Sequence, residues 1–248
     1  MGTLFVVATP VGNLKDITLR AIEILFSVDG IACEDTRKTG FLLRSVAPQK
    51  PSPRLISYYE QNEQKRIPEI ITALKNGINI ALVSDAGTPT ISDPGFKLVR
   101  QCVQEGIRVE SIPGPSSVIS ALVASGLPTD QFFFFGFPPH KEGKRKKLFL
   151  NVLQSFEPAS PQGGTSKQIH PTIVFFVAPH SLLKILLELQ DVFGDINIVI
   201  ARELTKLHEE IRREQISQSL NHFTNTNPKG EFVVLFNLAE QESSPLTR

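Results

Sequence analysis

Four short segments place chemically able side chains just beyond apolar runs. Ser84-Asp85-Ala86-Gly87-Thr88-Pro89 follows the most apolar run in the chain, Ile80 to Ser84. Its small residues leave backbone amides and carbonyls open to a ligand, and the Asp85 carboxylate accepts hydrogen bonds from amines or ribose hydroxyls. Ligands of open α/β sheets bind beyond the carboxyl ends of strands, so these residues read as a binding loop. Further on, Asp93-Pro94 reads as a helix cap followed by proline in the first turn. Glu34-Asp35-Thr36-Arg37 leaves another apolar run, Gly30 to Cys33. Two carboxylates and a guanidinium there suit proton or phosphate handling, or a helix start capped by Asp35 or Thr36, and spacing leaves both readings open. Arg202, Glu203 and Lys206 cluster after a third run, where a surface ion pair is the common alternative. Lys141, Lys144, Arg145, Lys146 and Lys147 face a single acid, Glu142, just after the phenylalanine-rich stretch Phe132 to Pro139. They read as a solvated helix face or as phosphate contacts for RNA.

Several chemistries lack their residues. The chain has no G-x-x-x-x-G-K-[ST] phosphate loop and no G-x-S-x-G nucleophile turn. His208-Glu209-Glu210 lacks the second histidine of a zinc helix, and the five histidines are scattered, so no metal is expected. Thr9 to Leu14 offers only Gly12 where a dinucleotide-binding turn needs three glycines, although Glu34 and Asp35 stand about twenty residues on, where a ribose-binding acid would be.

The elements that must position these groups follow from periodicity. Strands are expected at Leu4 to Ala8, Gly30 to Cys33, Leu55 to Tyr58, Ile80 to Ser84 and Val109 to Ile112. Between them lie helix-period stretches: one capped by Asp16, one over Thr36 to Ser45, one over Glu63 to Lys75 and one opened by Asp93. This alternation predicts an α/β layered domain with a mainly parallel sheet. Pro113 to Ser117 is the expected boundary, giving an N-terminal α/β domain over 1–114 and a C-terminal one over 115–239, with a frayed tail at 240–248. In the second domain a helix should run to about Ser125. Strands should lie near Phe132 to Phe135, Thr172 to Val177, Ile196 to Ala201 and Phe232 to Asn237, with helices near Lys144 to Gln154 and Leu182 to Val192. Glu157 to Pro171, rich in Pro, Gly, Ser and Gln, reads as a surface loop.

Bulk charge narrows the partner. The 248 residues carry 26 basic and 25 acidic side chains, which excludes a uniformly basic nucleic-acid binder. The +4 of Lys141 to Lys147 stands on a remainder of −3, so RNA binding would be local. Two cysteines, Cys33 and Cys102, in apolar stretches read as buried thiols and point to the cytoplasm. No signal peptide is visible, and no uncharged apolar run reaches the roughly 18 residues of a membrane span.

Taken in order, Thr9-Pro10-Val11-Gly12-Asn13-Leu14, Glu34 to Arg37, Ser84 to Pro89, Ile91 to Gly95, Pro113 to Ser116, Ser125 to Asp130 and Ala201 to Glu210 resemble the ribosomal RNA small subunit methyltransferase I family. These are 16S rRNA cytidine-2′-O-methyltransferases of the tetrapyrrole methylase superfamily, and the likeness runs from about Leu4 to Leu238. The resemblance implies a two-domain α/β fold with S-adenosylmethionine in a cleft between the domains, a homodimer, no metal, and a cytidine of the decoding region as substrate. It places Pro10 at the cofactor's edge, with Ser84, Asp85, Ala86, Gly87 and Thr88 along its amino-acid and ribose parts. Ser116 and Ser117 would line the interdomain side, and Phe176, Leu204 and the backbone near Lys229 the adenine. The chain departs from the family's F-Y-E-S-P-H-R, reading Phe175-Phe176-Val177-Ala178-Pro179-His180-Ser181.

The implied step is attack of a ribose 2′-hydroxyl on a sulfonium methyl. A ribose hydroxyl is a poor nucleophile near neutral pH, so a proton acceptor would help. Asp35 and Glu60, each on a loop past a strand, are the candidates, and Arg37 and Lys206 could orient phosphate. A corrin, porphyrin or diphthamide methyltransferase of the same superfamily, and a non-catalytic cofactor- or RNA-binding module, are the competing readings.

Overall fold

The computed structural model describes residues 1–156 and 170–239, so most of the expected surface loop at Glu157 to Pro171, and the tail at 240–248, lie outside the described residues. The chain divides into two compact units, Met1–Ser116 and Ser117–Arg248.

The first unit alternates strand and helix: β1 (Thr3–Val7), α1 (Leu19–Leu25), β2 (Gly30–Cys33), α2 (Thr36–Val46), β3 (Arg54–Ser57), α3 (Glu63–Lys75), β4 (Ile80–Val83), α4 (Phe96–Gln104) and β5 (Arg108–Ile112). The strands form one sheet in the order β3-β2-β4-β1-β5. Every pairing is parallel, so all five carboxyl ends share one edge. Successive side chains of a strand point to opposite faces. In β4, Ile80 and Leu82 therefore join one core with Ile70, Leu74, Leu98 and Cys102, while Ala81 and Val83 join another with Ala21, Leu25 and Leu43. Helices cover both faces, which is why the central strands β2 and β4 read as unbroken apolar runs, while the edge strands β3 and β5 carry polar residues. The chain leaves β2 toward β3 and leaves β4 toward β5, so the loops after these adjacent strands part company. Such a switch point opens a crevice at the carboxyl edge.

Two expected caps are corrected. Asp16 lies in a 3-10 turn, and α1 is capped by Thr18, whose hydroxyl accepts from the Ala21 amide at 3.1 Å. Asp93 does not cap α4, which begins only at Phe96. Gly95 precedes it at φ +127°, a backbone state that ends the helix there, and a Cβ on it would stand 2.6 Å from Leu82 Cδ2.

The second unit contains α5 (Ser117–Ser125), β6 (Phe132–Phe134), α6 (Glu142–Phe156), β7 (Thr172–Val177), α7 (Leu182–Phe193), β8 (Asn197–Arg202), β9 (Glu210–Gln215), α8 (Ile216–Thr226) and β10 (Phe232–Phe236). Its sheet runs β6-β7-β10-β8-β9, with β6 and β7 parallel and the other pairs antiparallel. Strand β9 and helix α8 were not anticipated. Glu210 to Gln215 carries one apolar residue, Ile211, because it is an edge strand whose polar side chains pair along it: Arg212 bonds Glu210 at 2.9 Å and Glu214 at 2.7 Å. Such charge on an edge discourages pairing with another chain. Gln215 then opens α8 through a capping box with Gln218.

Candidate functional site

A cavity of about 460 Å³ opens at the carboxyl edge of the first sheet. Three loops form it, after β1, β2 and β4. Pro10, Leu14, Phe41 and Leu42 make part of its lining apolar, and Asp35, Arg37, Lys38 and Asp85 make part of it charged.

The loop after β4 is clamped to the loop after β1. The Thr9 amide donates to the Gly87 carbonyl at 2.8 Å, and the Gly87 amide returns a bond to Thr9 at 3.0 Å. The Thr88 hydroxyl donates to the Pro115 carbonyl at 3.0 Å, and the Ser84 hydroxyl donates to the Ala86 carbonyl at 3.2 Å. Gly87 sits at φ +77°, where an L side chain is strained, and a Cβ there would touch Val11 Cγ2 at 3.8 Å and the Pro115 carbonyl at 3.9 Å. Thr90 and Ser92 also hold positive φ, 74° and 63°. Such strain persists only where surroundings enforce it. Further along this segment Glu63, buried on α3, accepts from the Tyr58 hydroxyl at 2.7 Å and the Gly95 amide at 3.2 Å and pairs with Lys97 at 2.9 Å. Burial acts to raise the Glu63 carboxyl, but those three donors outweigh it and leave it below its ordinary value.

Asp85 binds the second and third loops together. Its carboxylate accepts from the Asp35 amide at 3.1 Å and pairs with Lys38 at 2.7 Å. The hydrogen bond to Asp85 holds the Lys38 ammonium above its usual range. Asp35 resolves the choice left open by spacing: it caps α2, accepting from the Arg37 amide at 2.8 Å. The Arg37 guanidinium also grips it, through Nε at 3.1 Å and Nη2 at 2.7 Å, and holds its carboxyl well below the usual carboxylate range. A base so depressed has little drive to take a proton near neutral pH. The neighbouring Glu34 is different. Burial and then the Asp85 charge push its carboxyl up.

The sequence candidates therefore sort by place. Pro10, Ser84, Asp85, Asp35 and Arg37 line one cavity, and Ala86, Gly87 and Thr88 continue its loop. Glu60 is exposed in the turn after β3 and is not among the residues that line this cavity, so it stands apart from Asp35, the other expected proton acceptor. Ser116 ends the first unit and Ser117 begins α5 in the second. Leu204, Lys206 and Lys229 meet at one corner of the second unit, past β8 and before β10. Glu203 and Thr205 hold positive φ there, and the Arg202 guanidinium donates to the Lys229 carbonyl at 2.8 Å. Lys206 pairs with Glu203 at 3.0 Å and Glu231 at 2.9 Å, which leaves one of its three donors for a phosphate. Phe176 lies in register with Val233 and packs edge-on against Phe134, ring centroids 4.8 Å apart. Val177, where the sequence departs from the family pattern, is buried in the core of the second unit.

The basic segment also needs one correction. Lys141, Lys144, Lys146 and Lys147 are exposed, but Arg145 is 4% exposed and turns inward. Its guanidinium grips Glu188 with both ends of the fork and donates to the Pro139 and His140 carbonyls. Helix spacing could have warned of this, since Arg145 stands four residues before the buried Phe149 on α6. Lys38, Phe41 and Glu63 were missed. The first two sit one turn into a helix whose start looked merely capped, and Glu63 looked like an ordinary first-turn acid.

Among the described residues, no cluster of His, Cys, Asp and Glu could hold a metal ion, and no helix is long and apolar enough to cross a membrane.

Comparisons with known proteins agree on one lineage. A family profile described as Tetrapyrrole (Corrin/Porphyrin) Methylases matches residues 3–219. A Thermotoga maritima protein named ribosomal RNA small subunit methyltransferase I is 44% identical over 95% of this chain and 98% of its own length. A Synechocystis protein of the same name is 44% identical over 99% of this chain and 82% of its own. Among solved structures, a uroporphyrin-III C-methyltransferase from Thermus thermophilus, complexed with S-adenosyl homocysteine, superposes with a TM-score of 0.58 at 17% identity, covering 96% of this chain and 99% of that one.

Proposed function

The chain belongs to the tetrapyrrole methylase family and, within it, to the ribosomal RNA small subunit methyltransferase I family, and from that premise we propose that it transfers the methyl group of S-adenosylmethionine to the 2′-hydroxyl of a cytidine in 16S rRNA. The observation that carries this reading is the 44% identity to the Thermotoga maritima relative across nearly both whole chains. The porphyrin methyltransferase shares the fold at 17% identity, which supports a common architecture and no common substrate.

The residues at the carboxyl edge fit the cofactor. A cation bearing ribose hydroxyls needs acceptors and close backbone approach. The clamped Ser84 to Thr88 loop supplies both, with the Asp85 carboxylate at its head and no side chain at Gly87 to hinder approach to its backbone. Ser84, Asp85, Ala86, Gly87, Thr88 and Pro10 would hold it in the first unit. Ser116, Ser117, Phe176, Leu204 and the Lys229 backbone remain proposals for the rest of the cofactor. S-adenosylmethionine supplies an activated methyl on sulfonium, so most of the catalysis left to the protein is positioning.

That positioning falls to the charged residues of the cavity's lining. Asp35, fixed by α2 and by Arg37, accepts a hydrogen bond from the ribose hydroxyl and aligns it rather than drawing its proton far. Lys38 and Arg37 stand ready for the flanking phosphate. The enzyme works in the cytoplasm as a homodimer; Ile119 and Val123, exposed one turn apart on α5, are side chains that a second copy would cover.

Exposed Lys141, Lys144, Lys146 and Lys147 provide the docking charge. Replacing all four by glutamine is expected to raise KM for small ribosomal subunits about 10-fold or more. It should also make the fall of binding with salt shallower by roughly 2 to 3 in log–log slope, the share of three or four phosphates. Affinity for S-adenosylmethionine, read by calorimetry, should not move. An unchanged salt slope would remove the segment from the interface.

The reading itself is tested by incubating the chain with methyl-labelled cofactor and small subunits that lack the modification. Label recovered in a 2′-O-methylcytidine of 16S rRNA is the expected result.

A further inference from the structure

We propose that the cavity at the carboxyl edge of the first sheet receives the target nucleotide, everted from the RNA, and that Phe41 is the surface on which its base stacks. The proposal rests on the rRNA reading above and names what the established family activity leaves open: the residues that seize the nucleotide.

Phe41 is the unexplained side chain. Helix α2 buries Thr39, Gly40, Leu42 and Leu43, yet Phe41 is 59% exposed and lines the cavity. Leu14, also exposed, belongs to the same lining. Arg37 is four residues before Phe41 and Lys38 three, so ring and both cations project from neighbouring positions on one helical surface. A flat apolar ring beside two cations complements a nucleotide, with its planar base and anionic phosphate.

Both cations are held without being used up. Arg37 gives two side-chain N–H groups to Asp35, and its side chain remains 89% exposed. A guanidinium has five such donors. Lys38 gives one bond to Asp85 and keeps two of its three donors. Asp35 and Asp85 therefore aim the cations while leaving donors for a phosphate. The cavity's 460 Å³ falls within the roughly 300–1,000 Å³ of small-molecule sites. Enzymes that act on a base within nucleic acid draw the nucleotide out of its stack into such a pocket, and the same eversion would bring a ribose hydroxyl of folded RNA into this one. The cavity shares Pro10, Ser84 and Asp85 with the proposed cofactor loop, so a nucleotide seated on Phe41 lies beside the methyl donor's binding residues.

The test compares Phe41→Ala and Phe41→Trp in the full chain, using small subunits that lack the modification and, separately, S-adenosylmethionine alone. Because Phe41 is largely exposed, both variants should melt with the wild type. Phe41→Ala is expected to lower kcat/KM for subunits about 10-fold to 100-fold, the size of one base–aromatic stack, while Phe41→Trp restores most of it. Cofactor affinity should stay within about 2-fold in both, an allowance far below the effect of one stack. Equal kcat/KM for Phe41→Ala and wild type would overturn the proposal. So would a loss confined to cofactor affinity, which would seat the cofactor's own ring on Phe41. A wild-type chain that methylates no subunit would instead overturn the reading on which the proposal stands.

Discussion

Asp85→Asn is expected to lower methyl transfer to small ribosomal subunits roughly 100-fold to 1,000-fold. The side chain keeps its size and can still accept from the Asp35 amide, so the loss isolates the charge. Asp85 pairs with Lys38 at 2.7 Å and is the one carboxylate on the proposed cofactor loop. A hydrogen bond to a charged group contributes about 1.5–3 kcal/mol, and here two are at stake, to Lys38 and to the cofactor. Together they come to about 3–4 kcal/mol after discounting for the exposure of Lys38, and each 1.36 kcal/mol is tenfold in rate. Calorimetry with S-adenosylmethionine should register much of this as weaker binding. A variant that binds the cofactor and turns over like the wild type would remove Asp85 from the site.

Arg145→Met is expected to destabilise the second unit by about 3–5 kcal/mol, the usual result of removing one partner of a buried ion pair. The change strands the Glu188 carboxylate, 13% exposed, and leaves the Pro139 and His140 carbonyls without their donor. Removing both charges should be far milder, because no ion is then left unpaired. Arg145→Met/Glu188→Leu is therefore expected to recover most of the loss in urea unfolding followed through the second unit. Methyl transfer by the folded Arg145→Met enzyme should match wild type per active molecule, while the four-lysine variant should not. If the single change left stability intact and instead weakened RNA binding, Arg145 would return to the interface.

That contrast shows where the sequence was readable and where it was not. The first unit's strands stood out because parallel strands covered on both faces are apolar throughout, as Ile80–Val83 is. The loops at their carboxyl ends were legible for the same reason, since strand direction alone sets which loops share an edge. Strand β9 was hidden because an edge strand satisfies its charges along its own length and shows no period of two. Arg145 and its lysine neighbours looked alike because sequence records charge and not direction. Asp35 was visible as a carboxylate in the right loop, yet its grip on Arg37 depends on two side chains folding back on one helix start. Phe41 was hidden deeper still. An aromatic residue in a helix reads as core until the structure shows its ring in the open.

The central claim is best tested by mapping ribose methylation along 16S rRNA from cells that lack this chain and from the same cells carrying it back. A single cytidine is expected whose 2′-O-methyl group is missing in the first, present in the second, and absent again when the restored copy carries Asp85→Asn. Identical methylation maps with and without the chain, or methyl label found only in a corrin, a porphyrin or a protein, would contradict it.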